Sequence, residues 1–230
     1  MEYLEFERIL SAKRMQRYKD AANGDTRKAM ALYRYNLRLS QEMFTIVSCF
    51  EVALRNAIDS LLVPSLGGNW LKDSVQDNGI FSNGRMNETR KIIEKAYNRL
   101  NRQGIYSHSK LIAEMEFGVW KYMYSSLQYR ATGQCLLRAF PNKPRSSAAV
   151  QYNNSYIFNE LDKVNSLRNR IAHHEPICFR LHASEIDTSY IVNEYQKIQT
   201  LFSWMGIDSR SMLYGLDHVQ GVCSKINALK

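Results

Sequence analysis

Ten consecutive residues, 168–177, combine two arginines, two histidines and a glutamate in the order RNRIAHHEPI. Arg168 and His173 are separated by four residues, and Asn169 directly follows Arg168. A guanidinium is planar and always charged, and it can bind a phosphate through two parallel hydrogen bonds. An imidazole takes up and releases protons near neutral pH. These groups suit the cleavage of a phosphodiester that carries its own nucleophile, as RNA does in its 2′-hydroxyl.

The block lies at the end of a predicted helix, because Pro176 disfavours helical backbone at the residue before it. Five apolar residues form one stripe of this helix: Ile157, Leu161, Val164, Leu167 and Ile171. At about 100° per residue, Arg168 falls within that stripe and Arg170 falls near the opposite face. An unpaired buried guanidinium is costly. We therefore expect Arg168 to be buried, paired or at an interface, and Arg170 to be solvated.

A second predicted helix also carries charges on its apolar face. Glu51 and Arg55 share that face with Leu54 and Ile58. A glutamate four residues before an arginine is the favourable order for an ion pair on a helix. One interpretation is a buried structural ion pair, and the other is that these charges line the same cavity as Arg168.

The histidines have a structural interpretation as well. His173 and His174 could be helix C-cap residues, which the helix dipole and the last carbonyl groups favour. The spacing of Arg168 and His173 alone is common by chance. His173, His174 and Glu175 are consecutive, which is poor spacing for metal ligands that must converge. We expect no metal and no cofactor.

Helical periodicity dominates the chain, and alternation typical of strands is nearly absent. The pattern predicts a helix over 4–22 and a long helix from an N-cap at 25 to 62, with a break or bend near 39–40. Further helices are predicted over 87–102, 107–127, 133–140, 146–173 and 184–205. The segment 70–84 is predicted to be mostly loop, and the tail from 209 weakly helical. Gly118 is predicted to mark a tight packing point or a break.

These elements predict a single all-α domain over residues 1–230. Its parts are N-terminal helices over 1–66, central helices over 85–140, and the motif helix with the helices after it over 146–230. The charged helix 87–102 carries Lys95, Arg99 and Arg102, which we interpret as a solvated face, with an RNA backbone as the alternative partner.

Composition and net charge indicate which partners and which cellular compartment suit the protein. The 230 residues are 45% hydrophobic, with 31 basic and 22 acidic residues for a net charge of +9. This balance favours a polyanion such as nucleic acid, although an acidic protein or an anionic membrane would also fit. No apolar run approaches the roughly 18 residues that span a bilayer. The four cysteines are far apart and the start lacks a signal-peptide pattern, so we expect a cytoplasmic protein with no membrane partner.

The block LRNRIAHHEPI resembles the C-terminal signature of bacterial abortive-infection (Abi) proteins. It also resembles the HEPN superfamily signature, an arginine and a polar residue followed by a histidine after four to six positions. Arg168, Asn169 and His173 match it, and His174 satisfies the looser spacing. Four further segments resemble family motifs in the same order: 33–36 (YRYN), 51–59 (EVALRNAID), 116–120 (EFGVW) and 140–141 (FP). The resemblance covers most of the chain, about residues 14 to 204.

The resemblance implies a multi-helix HEPN-type bundle with additional helices. It implies a metal-independent ribonuclease toxin used in phage defence. It also implies a homodimer whose Arg–His motifs face each other across the two-fold axis, restrained by an antitoxin that is a protein or an RNA. The basic charge fits an RNA substrate, an RNA antitoxin or both.

The resemblance also implies roles for individual residues. His173 is expected to be the general acid/base, and Arg168 to bind and stabilise the scissile phosphate. Asn169 is expected to orient the histidine or the phosphate. Glu51 and Arg55 are expected to support the site from the neighbouring helix. His174 and Glu175 are second choices.

Two other functions remain open at this stage. The first is a non-catalytic RNA-binding HEPN module, in which the same arginine and histidine bind phosphate without cutting. The second is a helical interaction scaffold in which the block is structural.

Overall fold

A computed structural model describes all residues, 1–230, and contains twelve α-helices. The all-α prediction is confirmed, because the only extended pairing is an isolated bridge between Phe179 and Ile186. The helices are α1 (Tyr3–Leu10), α2 (Ala12–Ala21), α3 (Thr26–Leu66), α4 (Trp70–Asp73), α5 (Asn87–Arg102), α6 (His108–Glu114), α7 (Phe117–Tyr122), α8 (Ser126–Ala131), α9 (Asn154–Ala172), α10 (Ser189–Trp204), α11 (Ser209–Met212) and α12 (Val219–Asn227). Short 3-10 helices cover Gly84–Met86 and Leu136–Ala139.

The chain divides into two compact units. The first unit comprises Met1–Ser48, Ser166–Thr200 and Asp208–Lys230. The second comprises Cys49–Asn165 and Leu201–Ile207. The prediction of one domain over residues 1–230 stays a prediction.

The N-terminal helix of the first unit is interrupted, which corrects the predicted single helix over 4–22. Ser11 adopts a positive φ of 76°, and its hydroxyl accepts a hydrogen bond from the Arg14 amide at 3.3 Å. A positive φ is strained for a residue with a side chain, so the sequence gives little warning of this turn. Aromatic packing anchors α2, since the Tyr18 ring lies 5.2 Å from Tyr33 and 5.1 Å from Phe179.

A break or bend was predicted near residues 39–40, and the break is absent because helix α3 runs unbroken through 41 residues. The helix has no glycine, its one proline is Pro64 in the last turn, and Leu39 and Met43 are fully buried. The apolar stripe therefore continues across the expected break. The predicted N-cap is confirmed, because the Asp25 carboxylate accepts a hydrogen bond from the Lys28 amide at 3.0 Å.

Helices α5 to α8 belong to the second unit, and α5 has the predicted bounds. The next predicted helix, 107–127, is three short helices instead. The first break falls at Met115 and Glu116, whose extended backbone interrupts the helix before Gly118. The expectation for Gly118 was wrong, because it lies inside α7 and a Cβ there would meet no atom within 4 Å.

Helices α9 and α10 both begin later than predicted. The Asn153 side chain accepts a hydrogen bond from the Tyr156 amide at 3.0 Å, so α9 starts at Asn154 and not near residue 146. Residues 178–187 form a tight hairpin-like loop, in which the Asp187 amide donates to the Cys178 carbonyl at 2.9 Å. This loop delays α10 to Ser189. The tail is more helical than predicted, with α11 and α12.

None of the twelve helices combines the length and apolar character needed to cross a bilayer.

Candidate functional site

The motif helix α9 ends in a defined backbone turn. The His174 amide donates to the Ile171 carbonyl and the Glu175 amide to the Arg170 carbonyl, both at 2.9 Å. His174 has a positive φ of 56°. This pair of hydrogen bonds around one left-handed residue is the Schellman motif, which usually has glycine in that position. His173 is thus the last residue on the helical path, and the chain turns away at His174.

Asn36 on α3 holds the chain just beyond this turn. Its side-chain oxygen accepts hydrogen bonds from the amides of Ile177 at 2.8 Å and Cys178 at 3.2 Å. Asn36 is only 3% exposed, so both bonds are made away from water. It is the asparagine of the YRYN segment, and a single amide on the buried face of an apolar helix was the signal available in the sequence.

Two arginines of α2 bind the same stretch of backbone. Arg14 donates to the His174 carbonyl at 2.9 Å. Arg17 donates to the carbonyls of Ala183 at 3.0 Å and Arg180 at 2.9 Å, and its guanidinium lies over the Phe179 ring. The sequence pattern did not identify these residues, because nothing local links α2 to a segment about 160 positions later.

Arg170 is held in place, which corrects the expectation that it is solvated. It donates to the Glu175 carboxylate at 3.1 Å and to the Pro176 carbonyl at 3.0 Å. Its guanidinium also lies 5.0 Å from the centre of the Tyr190 ring, and its side chain is 19% exposed. The helical-wheel argument failed because the chain folds back after the turn and covers this side of α9.

Arg168 has the opposite character. It is half-buried, and it forms no ion pair. Its one hydrogen bond runs to the side-chain oxygen of the adjacent Asn169 at 3.4 Å, near the limit for such a bond. Of the three expected environments, the structure shows no acidic partner and no full burial. The apolar stripe of α9 thus contains a guanidinium that has no acidic partner within the chain.

The other candidate site residues of the block are exposed: Asn169, His173, His174 and Glu175. Within one chain, Arg168 and His173 are not joined by a hydrogen bond. Five positions along a helix turn about 140°, so the two side chains leave α9 in different directions. Asn169 and His173 are four positions apart and share a side of the helix. Each group alone can contact a phosphodiester, but one chain does not aim both at one point.

Cys178, the cysteine that follows the block 168–177, is not a candidate nucleophile. Burial raises the pKa of Cys178 to about 12, so its sulfur stays protonated at neutral pH. Burial likewise raises the pKa of Tyr18 far above its usual value. Both groups act as packing residues behind the turn.

Glu51 and Arg55 lie on α3 in the second unit, and both are half-buried. The Arg55 Nε atom is buried without a hydrogen-bond partner. Their support of the Arg168 site stays a prediction. No three His, Cys, Asp or Glu side chains anywhere in the chain are grouped to hold a metal ion.

The all-helical fold agrees with the HEPN-type bundle that the sequence resemblance implied, and Arg168, Asn169 and His173 lie at the end of α9. The family model described as Abi-like protein matches residues 2–178, and the chain belongs to that family. The family is named after abortive infection, a form of phage defence. No curated protein matches the chain, and no solved structure does. The match begins before the expected span of about 14 to 204 and ends before it does, so α10 to α12 lie outside the match.

Replacing Asn36 tests whether it holds the segment after α9. Asn36→Ala removes the acceptor of two buried amides and should lower the free energy of unfolding by about 3 kcal/mol. Asn56→Ala, at an exposed position of the same helix, should leave stability unchanged or slightly higher, because alanine favours helices. Urea unfolding measures both variants. Equal stability of the two variants would contradict the assignment.

The two arginines of α9 should differ in their effect on stability. Arg170→Ala should cost about 1–2 kcal/mol, because it removes a hydrogen bond to a backbone carbonyl and the contact with Tyr190. Arg168→Ala should change stability by less than about 0.5 kcal/mol, since it removes no structural partner. Thermal unfolding of the two variants gives the comparison. A larger loss for Arg168→Ala would show that its guanidinium is structural.

Proposed function

We propose that this Abi-like protein is a metal-independent endoribonuclease toxin of a phage-defence system. The observation that carries the proposal is the half-buried Arg168, whose only polar partner is the neighbouring Asn169 at 3.4 Å. Arg14, Arg17 and Arg170 are each occupied with backbone carbonyl groups. One arginine of this region therefore remains without a structural task, next to an exposed histidine.

The chemistry needs no group from outside the protein. His173 takes the proton of the ribose 2′-hydroxyl, and the 2′-oxygen attacks the adjacent phosphorus. The bond from phosphorus to the 5′-oxygen breaks, and an imidazolium returns a proton to that oxygen. Arg168 compensates the charge that develops on the phosphate oxygens. The products carry a 2′,3′-cyclic phosphate and a 5′-hydroxyl.

A two-fold homodimer resolves the geometry of the pair. Since Arg168 and His173 leave α9 about 140° apart, the arginine of one copy must act with the histidine of another. An isologous interface presents the same block from both copies at the axis. We therefore assign the site to a homodimer with composite Arg–His pairs. Glu51 and Arg55 are proposed to support the site from α3.

His173 is the proposed acid/base ahead of His174. It is the last residue on the helical path and shares a side of α9 with Asn169, which can orient its ring. His174 adopts the left-handed conformation of the turn, and its carbonyl is bound by Arg14. Glu175 is engaged by Arg170. His174 and Glu175 remain second choices.

The proposed substrate and antitoxin are inferred from the net charge of the chain and from its family. A net charge of +9 favours RNA as the substrate. The same charge suits an RNA antitoxin, and a protein antitoxin is the alternative restraint.

Cleavage of RNA in the presence of EDTA tests the proposal. The purified protein should produce fragments with cyclic phosphate ends, and His173→Ala and Arg168→Ala should each lower the rate at least about a hundredfold. His174→Gly is the matched control, because glycine suits the positive φ at this position. It should keep its activity and gain up to about 1 kcal/mol of stability.

Three results would contradict the proposal. Cutting that depends on added metal would remove this mechanism. RNA binding without cleavage that survives His173→Ala would favour a non-catalytic RNA-binding module. Loss of activity in His174→Gly but not in His173→Ala would move the acid/base to the turn.

A further inference from the structure

A groove in the second unit runs along the exposed face of α5 and is not used by the proposed nuclease. Two depressions of about 460 and 280 Å³ adjoin one another and share Ile92, Val119 and Tyr122. We call this feature the α5 groove. Its walls are α5 on one side and the Glu114–Tyr122 segment on the other.

The floor of the α5 groove is mainly aliphatic. Five residues form it: Ile92, Ala96, Met115, Gly118 and Val119. Ile92 is 47% exposed and so is Tyr122, and both side chains line the two depressions. Large apolar side chains grouped in a concave surface mark binding sites more often than single exposed ones do.

Gly118 keeps the floor open. It lies inside α7, where glycine costs about 1 kcal/mol relative to alanine. Neither a tight contact nor a positive φ requires it, since a Cβ would meet no atom within 4 Å. A glycine without structural need exposes backbone to close approach by another molecule. The open space at Gly118 is a second feature, besides the groove's shape, that suits a bound partner.

The rim of the groove is basic. Arg85, Lys95 and Arg102 line it and form no ion pair, whereas Arg99 is paired with Glu114. Among the acids, Glu88 is paired with Lys91, which leaves only the Glu116 carboxylate without a cation. Unpaired cations therefore outnumber unpaired carboxylates, and arginine and tyrosine are the residues most enriched among binding hot spots.

We propose that the α5 groove binds an acidic amphipathic helix of another protein. Aliphatic side chains at helical spacing would fill the floor, and flanking carboxylates would meet Arg85, Lys95 and Arg102. The lining on α5 extends from Glu88 to Arg102, which is about 21 Å and matches a partner helix of about 14 residues. Single-stranded RNA fits this floor less well, because Tyr122 is its only ring for stacking.

The inference stands apart from the proposed nuclease activity. Binding is measured on the intact chain without RNA cleavage, so an inactive protein would still be expected to bind. Loss of the nuclease in a His173→Ala variant should leave the groove unchanged.

Selection from a displayed library of 14-residue helices tests the proposal. The full-length protein should enrich helices with aliphatic residues at positions i, i+4, i+7 and i+11 and with carboxylates beside them. A synthetic peptide of the enriched sequence serves as the probe. Its affinity is measured by fluorescence anisotropy, and chemical-shift mapping locates its site.

Three substitutions in the groove should each weaken the peptide about tenfold or more. Gly118→Leu fills the floor, Ile92→Glu makes it polar, and Lys95→Glu reverses a rim charge. The matched controls are Ile105→Glu, at an isoleucine that is 43% exposed outside the groove, and Lys110→Glu, at an exposed lysine of α6 outside the lining. Both should bind the peptide as the unaltered protein does. Far-UV circular dichroism confirms that each variant is folded.

Several results would overturn the proposal. The selection could return no helices, or basic ones. The peptide could bind with equal affinity to folded Gly118→Leu and to the unaltered protein. A 12-nucleotide oligouridylate could displace the peptide. If its binding were weakened by Lys95→Glu but not by Ile92→Glu, the groove would be an RNA-binding surface.

Discussion

The direction of the chain after α9 depends on one strained residue. His174 adopts a positive φ of 56°, and the two hydrogen bonds of its turn end the helix at a single position. A left-handed conformation costs a residue with a side chain roughly 1–2 kcal/mol, so it persists only where the surroundings favour it. Here the Arg14 guanidinium binds the His174 carbonyl, and Asn36 binds the two amides at residues 177 and 178.

Because of this turn, the arginines around the end of α9 have different roles. Arg14, Arg17 and Arg170 each donate to carbonyl groups that the turn and the following loop would otherwise leave without partners. A guanidinium suits this work because its donors form a rigid planar fork. Arg168, two residues before Arg170, donates to no carbonyl and keeps only a long contact with Asn169. The fold therefore engages three guanidinium groups and leaves the Arg168 guanidinium without a backbone partner.

Much of the helical fold could be predicted from the sequence, because glycine, proline and capping residues mark helix ends directly. Asp25 caps α3 as predicted, and α5 has the predicted bounds. Positions whose structure depends on distant contacts could not be predicted. The positive φ of Ser11 and the start of α9 at Asn154 are examples, since serines near residue 146 form a local turn instead of a cap.

In the candidate site too, side-chain environments that depend on distant contacts could not be predicted from the sequence. A helical wheel describes one helix and an average environment, so it correctly marked Arg168 as unusual but misjudged Arg170. Arg170 is covered by residues 175 and 176 and by Tyr190, because the chain reverses its direction after α9. The periodicity of a helix does not predict such a reversal. The role of Asn36 likewise depends on a contact across about 140 positions. The wheel did contain the angle of about 140° between Arg168 and His173, and that angle is the reason for proposing a second copy.

Mixing two inactive protomers tests this requirement most directly. Arg168→Ala and His173→Ala proteins would be unfolded together, refolded together and assayed on RNA, with native mass spectrometry to measure the mixed dimers. If the arginine of one copy acts with the histidine of the other, half of the dimers are mixed and each has one intact pair. The mixture should then recover about a quarter of the unaltered rate. Mixed dimers that form but cut no faster than either parent would contradict the account.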